Sequence, residues 1–176
     1  SAEQNELMTR IGPGTPAGAL LRNYWQPVAL ADELAPPRPV KAVRVLGQDC
    51  VLFRDAQGRY GMLDRACPHR GADLAYGRLE DGGLRCAFHG WLFDVQGQCL
   101  DTPAEPEGSR ICEQVRQRAY PVTERSGVLF AYLGAGEAPA FPDFDCFVAP
   151  DTHDWSLLVR GADAQRDHER EPERNR

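Results

Sequence analysis

The fold of this 176-residue sequence is decided by two short stretches, Cys67-Pro68-His69-Arg70-Gly71 and Cys86-Ala87-Phe88-His89-Gly90-Trp91. Each stretch holds one cysteine and one histidine, and 16 residues separate the first histidine from the second cysteine. A glycine follows each histidine within two positions. Because glycine accepts backbone conformations that other residues avoid, both stretches are predicted to be tight loops that turn sharply beyond the histidine.

The side chains in these two loops point to a metal centre. A zinc finger usually draws a pair of cysteines from one corner and a pair of histidines from another, with C-x2-4-C and H-x3-5-H spacing. Here each loop mixes the two types, and the C-x-H spacing is too tight for that pattern. A [2Fe–2S] cluster in which two histidines replace two cysteines on one iron needs two mixed loops. We therefore predict that Cys67, His69, Cys86 and His89 bind a [2Fe–2S] cluster, with a zinc site and ordinary core packing as the alternatives.

Composition and charge exclude several other classes of protein. Apolar residues make up 42% of the chain and charged residues 26%, which is ordinary globular usage. A net charge of −6 argues against a general nucleic-acid binder. The longest uncharged apolar stretch, residues 126–136, is about half of what a bilayer crossing needs, and no signal-peptide pattern opens the chain. We expect a cytoplasmic protein with reduced cysteines and no nucleic-acid or membrane partner.

Short apolar runs alternate with turn-rich segments along most of the chain. The runs predict strands at residues 25–31, 40–46, 50–54, 60–63, 84–87, 91–95, 115–122 and 128–133. The one helix predicted covers residues 16–23, with Thr15 as its N-cap. The expected fold is mostly β, a small antiparallel barrel or sandwich with a cluster-binding subdomain inserted between Leu63 and Val95.

The two loops, C-P-H-R-G and C-x-F-H-G-W, resemble the Rieske iron–sulfur family. Further segments are similar to the oxygenase component of phthalate 4,5-dioxygenase and its relatives, which hydroxylate aromatic rings or cleave aryl ethers. They are LMTRIGPGTP at residues 7–16, LRNYWQPV at 21–28, DTPAEP at 101–106, AYPV at 119–122 and GVLFAYLG at 127–134. The resemblance covers roughly residues 7–161. It implies the Rieske iron–sulfur fold and a Rieske-type [2Fe–2S] cluster as the cofactor.

The resemblance also implies a role in electron transfer. In that family the Rieske domain takes electrons from a reductase that carries flavin and a plant-type cluster. It passes them to a mononuclear iron(II) in the catalytic domain of a neighbouring subunit, and full-length members form homotrimers. A free-standing Rieske ferredoxin that serves another oxygenase is the alternative. The extended N-terminal segment and the linker near residues 138–151 disfavour it.

The sequence departs from the family at the catalytic iron. That iron needs two histidines and one carboxylate, and the cluster loops leave only His153 and His168. We expect both to be solvated surface residues, so no catalytic residue is assigned and only electron transfer is expected of this chain. We interpret it as a Rieske portion that is truncated, frameshifted or separately encoded. The expected domains are an N-terminal extension (1–24), the Rieske domain (25–136), a linker and start of the catalytic domain (137–161) and a charged, disordered tail (162–176).

The resemblance further predicts a low reduction potential. Respiratory Rieske proteins carry a disulfide between the loops and a serine that donates to a sulfide, and those places here hold Ala72, Phe88 and Trp91. Fewer donors to the cluster disfavour its reduced form. The expected potential is about −150 to 0 mV.

Several residues outside the four ligands have more modest expected roles. Asp64 and Arg65 lead into the first loop, either as turn charges or as supports for the site. Trp91 either shields the cluster, forms part of a docking face or packs in the core. The remaining cysteines lack a ligand partner at suitable spacing and are predicted to be buried small apolar residues; they are Cys50, Cys99, Cys112 and Cys146.

Overall fold

The computed structural model describes residues 1–148 except residues 38, 81 and 107. The chain divides into two units, Ser1–Phe141 and Pro142–Arg176. Strands described in the first unit are β1 (Gln26–Leu30), β2 (Val40–Val45), β3 (Gln48–Arg54), β4 (Tyr60–Asp64), β5 (Arg78–Glu80), β6 (Gly83–Arg85), β7 (Leu92–Phe93), β8 (Cys99–Asp101), β9 (Ala119–Tyr120), β10 (Val122–Arg125) and β11 (Val128–Ala131). Its helices are α1 (Ala2–Thr9), α2 (Pro16–Leu21) and α3 (Ile111–Gln114), with 3-10 turns at Ala31–Leu34 and Leu74–Tyr76. The described part of the second unit contains α4 (Asp145–Val148).

The strands form three antiparallel sheets within the described residues. Their orders are β1-β11-β10, β2-β3-β4-β9 and β5-β6-β7-β8. The predicted mostly β, antiparallel fold is confirmed, and the described residues contain no closed barrel. The third sheet is inserted between β4 and β9 of the second, and it carries the two predicted loops.

Strand β3 separates two hydrophobic cores. Its sequence Cys50-Val51-Leu52-Phe53 is apolar at every position, and alternate residues of a strand point to opposite faces. Cys50 and Leu52 enter a core formed with the β1-β11-β10 sheet, whereas Val51 and Phe53 enter the core beneath the two loops. All four are fully buried. The loops therefore lie over a strand whose four consecutive residues Cys50–Phe53 are buried on both faces.

The inserted segment is longer than the sequence analysis predicted. β5 and β8 were not predicted, because each is a three-residue strand that includes charged residues. The third sheet consequently extends to Asp101 rather than ending at Val95. The predicted strand over 115–122 is also wrong in its extent. Pro121 has no N–H to donate, and the chain leaves the second sheet after β9 and enters the first sheet with β10.

The helix prediction is correct for α2 and misses α1 and the two four-residue helices α3 and α4. α2 begins after Thr15, whose hydroxyl accepts the Gly18 N–H at 3.1 Å. α1 was missed because it has no apolar stripe, and none of its residues is buried. Its N-terminus is instead fixed by Ser1, whose side chain accepts the Gln4 N–H at 3.3 Å.

Some expectations concern residues outside the described part of the chain. His153, His168 and the expected tail at residues 162–176 all lie there. Among the described residues, no helix combines the length and the apolar character needed to cross a bilayer.

Candidate metal centre

The first loop, residues 67–72, is closed by two backbone hydrogen bonds. The Cys67 N–H donates to the Ala72 carbonyl at 2.8 Å, and the Gly71 N–H donates to the Cys67 carbonyl at 2.8 Å. Gly71 has a φ of +71°, a left-handed conformation that favours glycine. The glycine therefore lets the chain return to its start within six residues.

The second loop, residues 86–91, repeats this backbone frame at the same spacing. The Cys86 N–H donates to the Trp91 carbonyl at 2.8 Å, and the Gly90 N–H donates to the Cys86 carbonyl at 3.1 Å. Gly90 has a φ of +77°, and a Cβ there would lie 2.9 Å from Pro103 Cγ. The two loops therefore have the same backbone hydrogen-bond pattern, but the histidine is the third residue of the first loop and the fourth residue of the second.

The four predicted ligands come together as two like pairs. The thiols of Cys67 and Cys86 lie close enough for Cys86 to raise the pKa of Cys67, and the two residues are 3% and 2% exposed. The rings of His69 and His89 lie with centroids 4.6 Å apart and planes at 66°. Within the described residues, no three His, Cys, Asp or Glu side chains form a group around one ion. A cluster with two cysteines on one iron and two histidines on the other needs this pairing of thiol with thiol and imidazole with imidazole.

One buried polar atom in the site lacks a partner that a bound metal would supply. The Nδ1 atom of His69 is buried and has no hydrogen-bond partner among the described residues. Leaving a buried polar atom unpaired costs about 1–3 kcal/mol, and a metal bound at Nδ1 would remove that cost. Neutral imidazole is the form of histidine that binds metal.

The electrostatic surroundings favour a protonated Cys67 thiol and a neutral His89 imidazole when no metal is bound. Burial, supported by the neighbouring Cys86, raises the pKa of the Cys67 thiol to about 11, while the backbone N–H groups of His69 and Arg70 oppose the rise. Desolvation, followed by the proximity of His69 and Arg70, lowers the pKa of His89 below its usual 6.5. His89 is therefore mostly neutral at pH 7. A bound metal would displace the thiol protons outright.

Aromatic rings cover the two histidines unequally. The Trp91 ring stacks on His69 at 4.4 Å with planes 5° apart, and Trp91 is 3% exposed. The Phe88 ring lies 3.9 Å from His89 but is 63% exposed. Trp91 therefore packs in the core, one of the roles predicted for it, and covers one face of the His69 ring. Both histidines are themselves half-buried.

An ion pair ties the two ends of the first loop. Arg65 Nε and Nη2 donate to Asp73 Oδ1 and Oδ2 at 2.8 and 2.5 Å. The Arg65 guanidinium, together with the Ala75 N–H, holds the pKa of the Asp73 carboxyl below its usual range. Both side chains remain partly exposed, at 36% and 29%. Arg65 is thus a support of the site, one of the two roles the sequence analysis gave it.

A less exposed arginine fastens the second loop. Arg85 is 13% exposed, and its Nη1 donates both to the Gly90 carbonyl and, at 2.8 Å, to Asp101 Oδ2. Its Nε donates to Glu80 Oε2 at 2.5 Å. One side chain therefore links the loop to β5 and β8. Sequence reasoning missed this role, since adjacency to Cys86 is its only signal.

Gln117 joins the first loop to the second sheet. Its buried amide donates to the Asp64 carbonyl at 2.7 Å and to the Ala66 carbonyl at 2.8 Å. The side chain of Asp64 points elsewhere, accepting Tyr120 Oη–H and Gln48 Nε2–H, both at 2.7 Å. Nothing in the sequence around Gln117 indicates this bridge, because its partners lie more than 50 residues away.

The prediction for the other cysteines is correct only in part. Cys50 and Cys99 are buried, but Cys112 and Cys146 are partly exposed. The Sγ atoms of Cys99 and Cys112 also lie 3.1 Å apart, a contact that their spacing in the sequence does not reveal.

Comparison with known proteins gives the same family for most of the described chain. The Rieske [2Fe-2S] domain model matches residues 24–121. The chain is 48% identical over 151 residues to the 5,5'-dehydrodivanillate O-demethylase oxygenase subunit of a Sphingobium species, covering 84% of this chain and 35% of that protein. It is 42% identical over 144 residues to the phthalate 4,5-dioxygenase oxygenase subunit of Pseudomonas putida, covering 81% and 32%.

The solved structures agree with these relatives. Dicamba monooxygenase with non-heme iron and dicamba superposes with a TM-score of 0.65 at 34% identity, over 75% of this chain and 40% of that one. The chain spans about a third of the length of the curated relatives it matches.

Proposed function

This chain belongs to the Rieske [2Fe–2S] family, and from that premise we propose that Cys67 and Cys86 bind one iron of a [2Fe–2S] cluster while His69 and His89 bind the other. The observation that carries the proposal is the pairing of thiol with thiol and imidazole with imidazole across two loops. The unpaired, buried Nδ1 of His69 supports it further.

The function proposed for the chain is one-electron transfer within an oxygenase of the type that acts on aromatic compounds. A cluster of this kind accepts and releases one electron at a time. The chain's own residues set its surroundings. The Trp91 ring, stacked on His69, excludes water from one side of the site. We propose that a partner approaches at His89, beside the exposed Phe88 ring.

The proposed partners follow from the names of the relatives, several of which are oxygenase subunits. We propose a flavin and iron–sulfur reductase as the electron donor, and an oxygenase catalytic domain with a mononuclear iron(II) as the acceptor, in a homotrimer in the cytoplasm. The chain would be organised as an N-terminal extension (1–24), the electron-carrying domain (25–136), a linker that leads toward the catalytic domain (137–161) and a charged tail (162–176).

Spectroscopy and potentiometry of the anaerobically purified chain test this function. We expect a visible spectrum and an EPR signal of a Rieske cluster, and a midpoint potential of about −150 to 0 mV, because few donors surround the site. A colourless protein that contains only zinc would refute the cluster. A midpoint near +300 mV would leave the cluster standing and overturn the low-potential, oxygenase-type assignment.

A reduction experiment tests the donor. We expect a flavin and iron–sulfur reductase from an aromatic oxygenase system, supplied with NADH under anaerobic conditions, to bleach the visible band of the chain. The chain with NADH alone is the control. Failure of every such reductase to reduce a cluster that dithionite does reduce would contradict the proposed partnership.

A further inference from the structure

Two cysteines outside the cluster loops lie in contact with each other. The Sγ atoms of Cys99, in β8, and Cys112, in α3, are 3.1 Å apart. A further approach of about 1 Å would bring them to the length of an S–S bond. Cys99 is 3% exposed, whereas Cys112 is partly exposed. The pair therefore has one sulfur within reach of a small reagent and one shielded sulfur behind it.

We propose that Cys99 and Cys112 form an oxidation site that hydrogen peroxide converts to an intramolecular disulfide. The Cys112 sulfur attacks one peroxide oxygen, the O–O bond breaks, and a sulfenic acid and one water result. The Cys99 sulfur then attacks the Cys112 sulfur, so that the S–S bond forms and the S–O bond breaks. The hydroxyl leaves as a second water that carries the Cys99 thiol proton. Two thiols are oxidised and one peroxide is reduced.

The two cysteines differ in the way this order requires. Peroxide in solution does not reach Cys99, which is 3% exposed, whereas Cys112 is partly exposed. Cys112 is consequently the sulfur that meets the oxidant, and Cys99 is the one that resolves it.

The cross-link would fix a segment that lies against the second cluster loop. Residues 99–112 include Asp101, which accepts Arg85 Nη1 at 2.8 Å. They also include Pro103, whose ring lies beside Gly90. A disulfide across this segment removes freedom from its unfolded state. Oxidation would therefore hold the segment in its place over the loop.

Peptide mapping of the cluster-loaded chain tests the proposal. Trypsin cleaves after Arg85, Arg110 and Arg116, so the disulfide would join peptide 86–110 to peptide 111–116. We expect this joined peptide after mild peroxide treatment, lighter by two hydrogens than the sum of its parts, and its loss on addition of a thiol reductant. The visible spectrum, followed in parallel, verifies that Cys67 and Cys86 are still protected during the treatment.

Variants separate this pair from other pairings. Peptide 86–110 also contains Cys86, which could pair with Cys112 in place of Cys99. If Cys99 is the partner, Cys99→Ala must abolish the joined peptide. Cys112→Ser, at the partly exposed cysteine, must abolish it as well. Cys146→Ser, at another partly exposed cysteine, must leave it unchanged. Recovery of both thiols in alkylated form after oxidation would overturn the proposal, as would a joined peptide that persists in Cys99→Ala.

Discussion

The two cluster loops share one backbone frame but are fastened by different side chains. Each begins with a cysteine N–H that donates to the residue five positions later, and each has a glycine N–H that returns to the cysteine. The first loop is held at its base by the Arg65–Asp73 ion pair, whose side chains are 36% and 29% exposed. The second is held by Arg85, which is 13% exposed and binds the loop's own Gly90 carbonyl.

This difference shows that equal backbone geometry does not require equal anchoring. Gln117, which donates to the Ala66 carbonyl, gives the first loop a further attachment to the second sheet. The second loop projects from the third sheet, whose strands have only two or three residues each. Short strands offer few ladder hydrogen bonds, so the second loop depends more on a single side chain. Substitutions of the proposed ligands, of Arg85 and of Arg65 test this difference between the two loops.

Replacing a ligand is expected to have the largest effect, and an equal one in either loop. His69→Ala in the first loop or Cys86→Ser in the second removes one of two protein ligands from an iron. We expect each variant to lose the Rieske visible and EPR spectra. Cys146→Ser, outside both loops, serves as the control and keeps them. A native spectrum in either ligand variant would refute the assignment of that residue.

Removing Arg85 is expected to have the next largest effect. Arg85→Ala leaves the Gly90 carbonyl without this donor, Asp101 without this cation and Glu80 with Arg78 as its remaining cation, at a cost of about 1–3 kcal/mol in the free energy of unfolding. Urea unfolding, followed by the cluster absorbance, measures it. Arg78→Ala is a matched control, because Arg78 also contacts Glu80, at 2.6 Å, but is 66% exposed. Equal effects of the two substitutions would contradict the special role of Arg85.

Removing Arg65 is expected to have the smallest effect of the three. Ion pairs with this degree of exposure contribute about 1 kcal/mol or less, and the hydrogen bonds from Gln117 to the loop entrance remain. Arg65→Ala should therefore lower the free energy of unfolding less than Arg85→Ala, in the same urea experiment. If Arg65→Ala lowered the free energy of unfolding more than Arg85→Ala, the burial of the anchoring arginine would not explain the difference between the two loops.

The sequence predicted features that depend on neighbouring residues. The four proposed ligands lie in two motifs of a few residues each, and the apolar run at 50–54 fixes a strand that is buried on both faces. The spacing of residues within a motif and the alternation of side chains along a strand can both be recognised in a short stretch of sequence. Family membership and fold class were both accessible for this reason.

The features that were missed depend on distant residues. Arg85 binds Glu80, Gly90 and Asp101, which lie on three different elements. Cys99 meets Cys112 only because α3 packs against β8. Such contacts are products of packing, so no local pattern announces them.

Strand β3 has a consequence for how this unit unfolds. Its alternate side chains belong to two cores, with Leu52 in one and Phe53 in the other, and both are fully buried. The strand cannot leave one core while it stays in the other. We therefore expect the core beneath the cluster loops and the core on the opposite face to unfold in a single cooperative transition, and we expect local opening at the loops to stop where β3 begins.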